Sequence, residues 1–215
     1  MRDALNQPLR PVPTSESKLP TLSSVYALSK YDQERLCLLT GRAYNIPTVA
    51  MRFFNVYGTR QALSNPYTGV LAIFASRFLN DNPPMIFEDG QQQRDFVHVH
   101  DVALACRLAL ETDEANGQVF NVGSGNSYAI SGIAERLAAV MGKPHLTAQV
   151  TGKYRVGDIR HCYADISLAQ STLGFYPQVD FDKGLEELAA WLEGQIAYDR
   201  VSEASAELAA RGLTV

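Results

Sequence analysis

Ser23-Ser24-Val25-Tyr26-Ala27-Leu28-Ser29-Lys30-Tyr31 sets a tyrosine and a lysine one helical turn apart at the start of a helical stretch. On a helix that spacing puts both side chains on one face, with roughly 5–6 Å between their Cβ atoms. A phenol of pKa about 10 is a poor base at neutral pH, and an adjacent ammonium favours its phenolate. Tyr26 is therefore the candidate for exchanging a proton with a substrate hydroxyl, with Lys30 holding the charge. A lone Tyr-x-x-x-Lys more often describes a packed ring beside a solvated lysine, so the rest of the chain decides.

Around this pair the chain reads as α/β. Residues 24–44 form a helix with Ser23 as N-cap, Asn45 as left-handed C-cap and Pro47 just beyond. Leu28, Leu36, Leu39 and Ala43 give it an apolar face to lay on a sheet. Thr-Val-Ala-Met-Arg-Phe-Phe-Asn over residues 48–55 is a buried parallel strand whose polar end, Asn55, falls where ligands of open α/β sheets collect. Helices follow over 70–80, 101–111 with Asp101 as N-cap, 130–141, 167–173 and 181–196, alternating with strands over 83–87, 94–99, 118–122 and 146–150. Residues 1–20, with Pro8, Pro11, Pro13 and Pro20, read as an extended surface leader, and residues 201–212 as a separate surface helix.

Five blocks stand in order: Tyr26-x-x-x-Lys30; Arg52-Phe53-Phe54-Asn55-Val56-Tyr57-Gly58; Arg94-Asp95-Phe96-Val97-His98-Val99-x-Asp101-Val102-Ala103; Phe120-Asn121-Val122-Gly123-Ser124-Gly125; and Arg155-x-Gly157-Asp158. Together they resemble the extended short-chain dehydrogenase/reductase family, and within it the NAD-dependent nucleoside-diphosphate-sugar epimerases and dehydratases. The resemblance implies an incomplete Rossmann-like parallel sheet over 21–58 and 94–122, a smaller α/β substrate-binding portion over 59–93 and 123–198, and a helical tail over 199–215. It implies Tyr26 and Lys30 as catalytic residues and, with Phe54, as NAD-binding ones. It implies Asn55, Thr68, Gly69, Arg94, Arg155 and Asp158 as contacts to a UDP- or dTDP-linked sugar. Arginine is the planar, permanently charged donor that suits a diphosphate; the plain alternative for Arg94 is an ion pair with Asp95 or another carboxylate. In the 4-epimerases of this kind an asparagine stands where Thr68 and Gly69 stand here.

Residues 1–25 contain no glycine, so the Gly-x-x-Gly-x-x-Gly turn on which the family holds the NAD pyrophosphate has no counterpart, and neither has its catalytic serine or threonine. The chain reads as the C-terminal part of such an enzyme. One expectation is NAD-dependent epimerisation at C4 through a 4-keto intermediate; residues 60–67 resemble a loop of bacterial enzymes acting on dTDP- or UDP-linked deoxysugars. A second is a catalytically incomplete half-site that needs a separate NAD-binding half, and a third is a 4,6-dehydratase. The resemblance also implies a homodimer formed through the Tyr26 helix.

With 215 residues, 46% hydrophobic and 20% charged, the chain is long enough to bury a core. A net charge of −4 gives no electrostatic reason to expect nucleic acid or an anionic membrane as partner. Cys37, Cys106 and Cys162 are odd in number and widely spaced, which argues against a disulfide framework and for a reducing cytoplasm. No stretch reaches about 18 apolar residues. His98, His100, His161 and Cys162 fix no four-ligand spacing, so no metal is expected. Gly123-Ser124-Gly125 lacks the later glycine of a phosphate cradle.

Overall fold

The computed structural model describes residues 6–7, 9–63, 69–154 and 157–214. Helix α1 (Val25–Tyr44) starts where Ser24, in extended conformation, accepts the Ala27 N–H at 3.1 Å; the cap is Ser24 and not the expected Ser23. It ends, as expected, at Asn45, whose left-handed backbone (φ 54°, ψ 43°) returns its N–H to the Gly41 carbonyl. The apolar face read for it is not covered: Gly41 is its only buried residue, and Leu28, Leu36 and Leu39 are exposed. What anchors α1 is polar, a fork of two hydrogen bonds at 2.7 and 2.9 Å from Arg52 to Glu34.

The strand expected over 48–55 is two strands, β1 (Ala50–Phe53) and β2 (Asn55–Tyr57), because the chain changes partner at Phe54. The same happens on the other side, where Asp95 separates β4 (Gln93–Arg94) from β5 (Phe96–His98). β2 runs parallel to β5, and β1 runs parallel to β6 (Val119–Val122). No described strand borders the other side of β1. A short parallel pair joins β3 (Met85–Ile86) to β8 (Gln149–Val150). β4 is central in a three-stranded sheet, antiparallel to β7 (Tyr128–Ala129) and parallel to β9 (His161–Cys162). This mixed α/β arrangement of short, mostly parallel sheets is the expected fold class.

Two apolar cores follow from which faces the helices bury. One lies between α2 (Val70–Leu79), α4 (Ile130–Val140) and α6 (Phe181–Leu192), where Phe74, Phe78, Leu137 and Leu188 are almost inaccessible. Each such side chain contributes roughly 1.5–3 kcal/mol. The second lies between β6, α3 (Val99–Glu111) and α5 (Ser167–Leu173), around Phe120, Ala105 and Phe175. α3 begins two residues earlier than expected and His98 is its N-cap. Asp101, read as that cap, is buried in the first turn and accepts the N–H groups of Gln178 and Val179 at 2.8 and 3.2 Å.

The leader is more than a surface segment. Thr14 bridges Ala164 in parallel, and Glu16 accepts the Asn121 N–H at 2.8 Å, which satisfies part of the free edge of β6. At the other terminus α7 (Val201–Ala210) turns its half-buried side inward. No helix among the described residues is long and apolar enough to cross a membrane, and Cys37, Cys106 and Cys162 are free thiols.

Candidate functional site

Three expected site residues line one cavity of about 250 Å³: Asn55 at the start of β2, Arg94 at the end of β4, and Asp158 in the segment before β9. The other lining residues are mostly apolar, with Val70 and Ile73 from α2, Met85 and Ile86 from β3, and residues of α7, beside the polar Gln92 and Ser205. Sites that enclose a whole drug-sized ligand measure roughly 300–1,000 Å³. The cavity is somewhat smaller than that.

Arg94 is held in place by the backbone. Its Nη1 donates to the carbonyls of Gln93 and Arg160 at 2.9 and 2.8 Å, and its Nη2 to that of Ile159. Its ion-pair partner is Asp158, at 3.4 Å, and not Asp95. Alternation along an extended chain sends Asp95 to the other face. Asp158 in turn accepts the Ile159 N–H at 2.8 Å. The Asn55 amide gives one hydrogen to the Asp95 carbonyl at 2.8 Å, which leaves its second hydrogen as a further donor. Arg160, two residues after Asp158, is engaged by Glu88 and Asp89.

Tyr26 and Lys30 stand together as the helical spacing requires. The Lys30 ammonium lies 5.7 Å from the centre of the Tyr26 ring and donates to Gln33 at 3.2 Å, and both residues are exposed. The Ser23 hydroxyl donates to the Gly157 carbonyl at 3.3 Å, tying the start of α1 to the segment that carries Asp158. Phe54, half-buried at the partner switch, gives its N–H to Val122 at 3.0 Å. Gly69 is the exposed N-cap of α2 and does not line the cavity. Thr68 and Arg155 lie outside the described residues.

The Gly123-Ser124-Gly125 turn is occupied from within. The Asp95 carboxylate accepts the N–H and hydroxyl of Ser124 at 2.7 and 2.8 Å and the N–H groups of Gly125 and Ala164 at 3.0 and 3.1 Å. Burial nonetheless pushes the Asp95 carboxyl above the usual range, against the pull of these donors. A methyl group on Gly123 would sit 2.5 Å from Asp95 Oδ2, so only glycine fits. An acid at the second position of a strand motif and a glycine turn 28 positions later give no local hint of this contact.

His98, His100 and Glu187 bring potential ligand atoms within 4.8 Å of one another. His98 Nδ1 accepts the His100 N–H at 3.4 Å, which leaves the proton of the neutral ring on Nε2, 3.8 Å from Glu187. In that tautomer Nε2 has no lone pair for a cation. Burial holds the His98 imidazole below its ordinary pKa.

The NAD dependent epimerase/dehydratase family matches residues 6–123. The chain belongs to this family. It is 35% identical over 177 residues to dTDP-L-rhamnose 4-epimerase of Burkholderia thailandensis, a match covering 82% of this chain and 48% of that protein. Among solved structures, the Thermotoga maritima UDP-glucose 4-epimerase with UDP-glucose is 32% identical, with a TM-score of 0.77 over 86% of this chain and 59% of that one. The Bacillus cereus UDP-glucuronic acid 4-epimerase in complex with UDP-glucuronic acid and NAD is also 32% identical, with a TM-score of 0.76 over 86% and 57%. This epimerase/dehydratase chain spans about half the length of the curated relatives it matches. One wall of its cavity escapes the motifs: Val201, Ala204, Ser205 and Leu208 of α7 line it, in place of the separate surface helix expected.

Proposed function

We propose that this chain carries the nucleotide-sugar site and the proton-transferring tyrosine of an NAD-dependent enzyme that epimerises C4 of a UDP- or dTDP-linked sugar. The observation that supports this most is the convergence of Asn55, Arg94 and Asp158 on one cavity whose other lining residues are mostly apolar. Such a chamber suits a diphosphate at the guanidinium and a base against the apolar wall. Arg94 holds the diphosphate, the second Asn55 amide hydrogen reaches a phosphate oxygen, and Asp158 accepts from a ribose hydroxyl. Tyr26, as phenolate, takes the proton of the sugar C4 hydroxyl, and the Lys30 ammonium stabilises that phenolate. NAD, when bound, would supply the acceptor for the hydride leaving the sugar C4 and the donor that returns it.

The residues fit NAD at one end. Tyr26, Lys30 and Phe54 supply a phenol, an ammonium and a ring for its nicotinamide and ribose. The Gly123–Gly125 turn is filled by Asp95 and so offers no cradle for its pyrophosphate. This favours a second reading in which the chain is the sugar-nucleotide half of a site and the NAD cradle lies on other residues.

Calorimetric titration tests both. We expect UDP- or dTDP-sugars to bind and Arg94→Ala to weaken them at least tenfold. Binding of NAD is required for turnover by this chain, and Tyr26→Phe then abolishes it with sugar binding intact. A blank NAD titration beside a bound nucleotide sugar leaves the half-site reading. No nucleotide-sugar binding at all defeats both.

A further inference from the structure

The cavity has one wall that the motifs do not supply. α7 turns Val201, Ala204, Ser205 and Leu208 toward it, at helical spacings of three and four that put them on one face. These four are half-buried, while Glu203, Ala206 and Glu207 between them are exposed. The helix is not laid there loosely. Asp199, just before it, accepts from Arg77 Nη1 at 2.8 Å and from Asn82 at 2.9 Å, and caps the Val201 N–H at 3.1 Å. The Arg77 and Asp199 side chains are only 10% and 11% exposed. Arg77 also donates twice to the Pro83 carbonyl, immediately ahead of β3, which forms the neighbouring cavity wall. One buried guanidinium therefore fixes α7 and β3 relative to each other.

We infer that α7 is a specificity-determining wall of the nucleotide site: its Val201–Ala204–Leu208 stripe covers the base of a nucleoside diphosphate whose phosphates lie at Arg94, with the Ser205 hydroxyl as the polar group on that wall. The inference rests on the reading of the cavity as the nucleotide end of the site. An apolar stripe with one hydroxyl suits the face and edge of a pyrimidine and offers no charge to a phosphate. Arg94, on β4, suits phosphate and belongs to a different element from α7. Base and phosphate recognition thus fall on different elements and separate experimentally.

The probes are UDP and inorganic pyrophosphate, titrated against the intact chain, a chain ending at Arg200, and the full-length variant Leu208→Glu. We expect both altered chains to bind UDP at least tenfold more weakly while pyrophosphate affinity changes less than twofold. UDP should also slow amide hydrogen exchange across residues 204–210 of the intact chain, a readout that does not need the shortened chain to fold. Unchanged UDP affinity in Leu208→Glu, without exchange protection of α7, overturns the inference and leaves the nucleotide-site reading standing. Tighter UDP binding on losing α7 also overturns it, because the helix is then a plug. If the intact chain binds neither probe, the nucleotide-site reading falls and takes this wall with it.

Discussion

The Asp95 carboxylate accepts the Ser124 backbone N–H at 2.7 Å, across the glycine turn that follows β6. One carboxylate there ends β4, starts β5 and closes the turn, so the site geometry depends on it: Asn55 donates to its carbonyl and Arg94 precedes it in the chain. Each oxygen takes two donors. Asp95→Asn replaces one acceptor oxygen by an NH₂ group, and even with the Ser124 hydroxyl turned to accept, at least one backbone N–H is left facing a donor. One unsatisfied group of this kind costs about 1–3 kcal/mol. Denaturant midpoints measure it, and a loss below about 1 kcal/mol defeats the account.

Gly184 in α6 leaves no room for a side chain, since an added Cβ would stand 2.2 Å from the Tyr57 hydroxyl and 2.9 Å from its Cζ. Helix propensity favours Gly184→Ala by about 1 kcal/mol. Overpacking opposes it by about 1–3 kcal/mol, so the variant is expected to be less stable. Tyr57→Phe removes the nearest atom but not Cζ, and the double variant should recover part of the loss. Strict additivity of the two single changes would show that the hydroxyl is not the obstacle.

His98 is sealed among Tyr57, His100 and the backbone of Gly58, with Glu187 and Asp101 as the nearby carboxylates. Burial lowers its folded pKa below the ordinary 6.5, against the opposing pull of Glu187. The unfolded chain then binds the proton more readily, so this stability is fully present above pH 6.5 and is lost as pH falls below it. His161, lowered by burial and by Arg160 and Arg94, acts in the same direction. His98→Phe should therefore flatten part of the decline in the urea midpoint between about pH 7.5 and 5.5. Parallel curves for the two proteins would exclude His98 as the source.

How much of this was readable beforehand depends on how local each feature is. The Asn45 cap follows from one residue that tolerates a left-handed backbone two positions before a proline, and the Tyr26–Lys30 pair from helical spacing alone. Ser23 and Ser24 are equivalent to any local rule, and the choice between them rests on which N–H is left over. Asp101 carries every mark of an N-cap, yet its partners are Gln178 and Val179, far along the chain. The strand breaks at Phe54 and Asp95 arise from a change of neighbours, which no run of side chains records. Arg94 and Asp158 met because a family pattern joined them; α7 joined them unannounced, although its spacing of apolar residues was visible.

α1 and the strands beside it expose apolar side chains: Tyr26, Leu36, Leu39 and Tyr44 of α1, Phe53 of β1 and Val56 of β2 are all between 37% and 75% exposed. Contiguous apolar surface beside a strand edge without a neighbour favours association. We expect sedimentation to show self-association that grows across the micromolar to millimolar range, through this face. Leu36→Glu combined with Leu39→Lys should shift the chain to monomer with the urea midpoint within about 0.5 kcal/mol of the parent, since exposed positions contribute little to folding. A parent chain that sediments as a monomer throughout that range would remove α1 as an interface and, with it, the homodimer implied by its family.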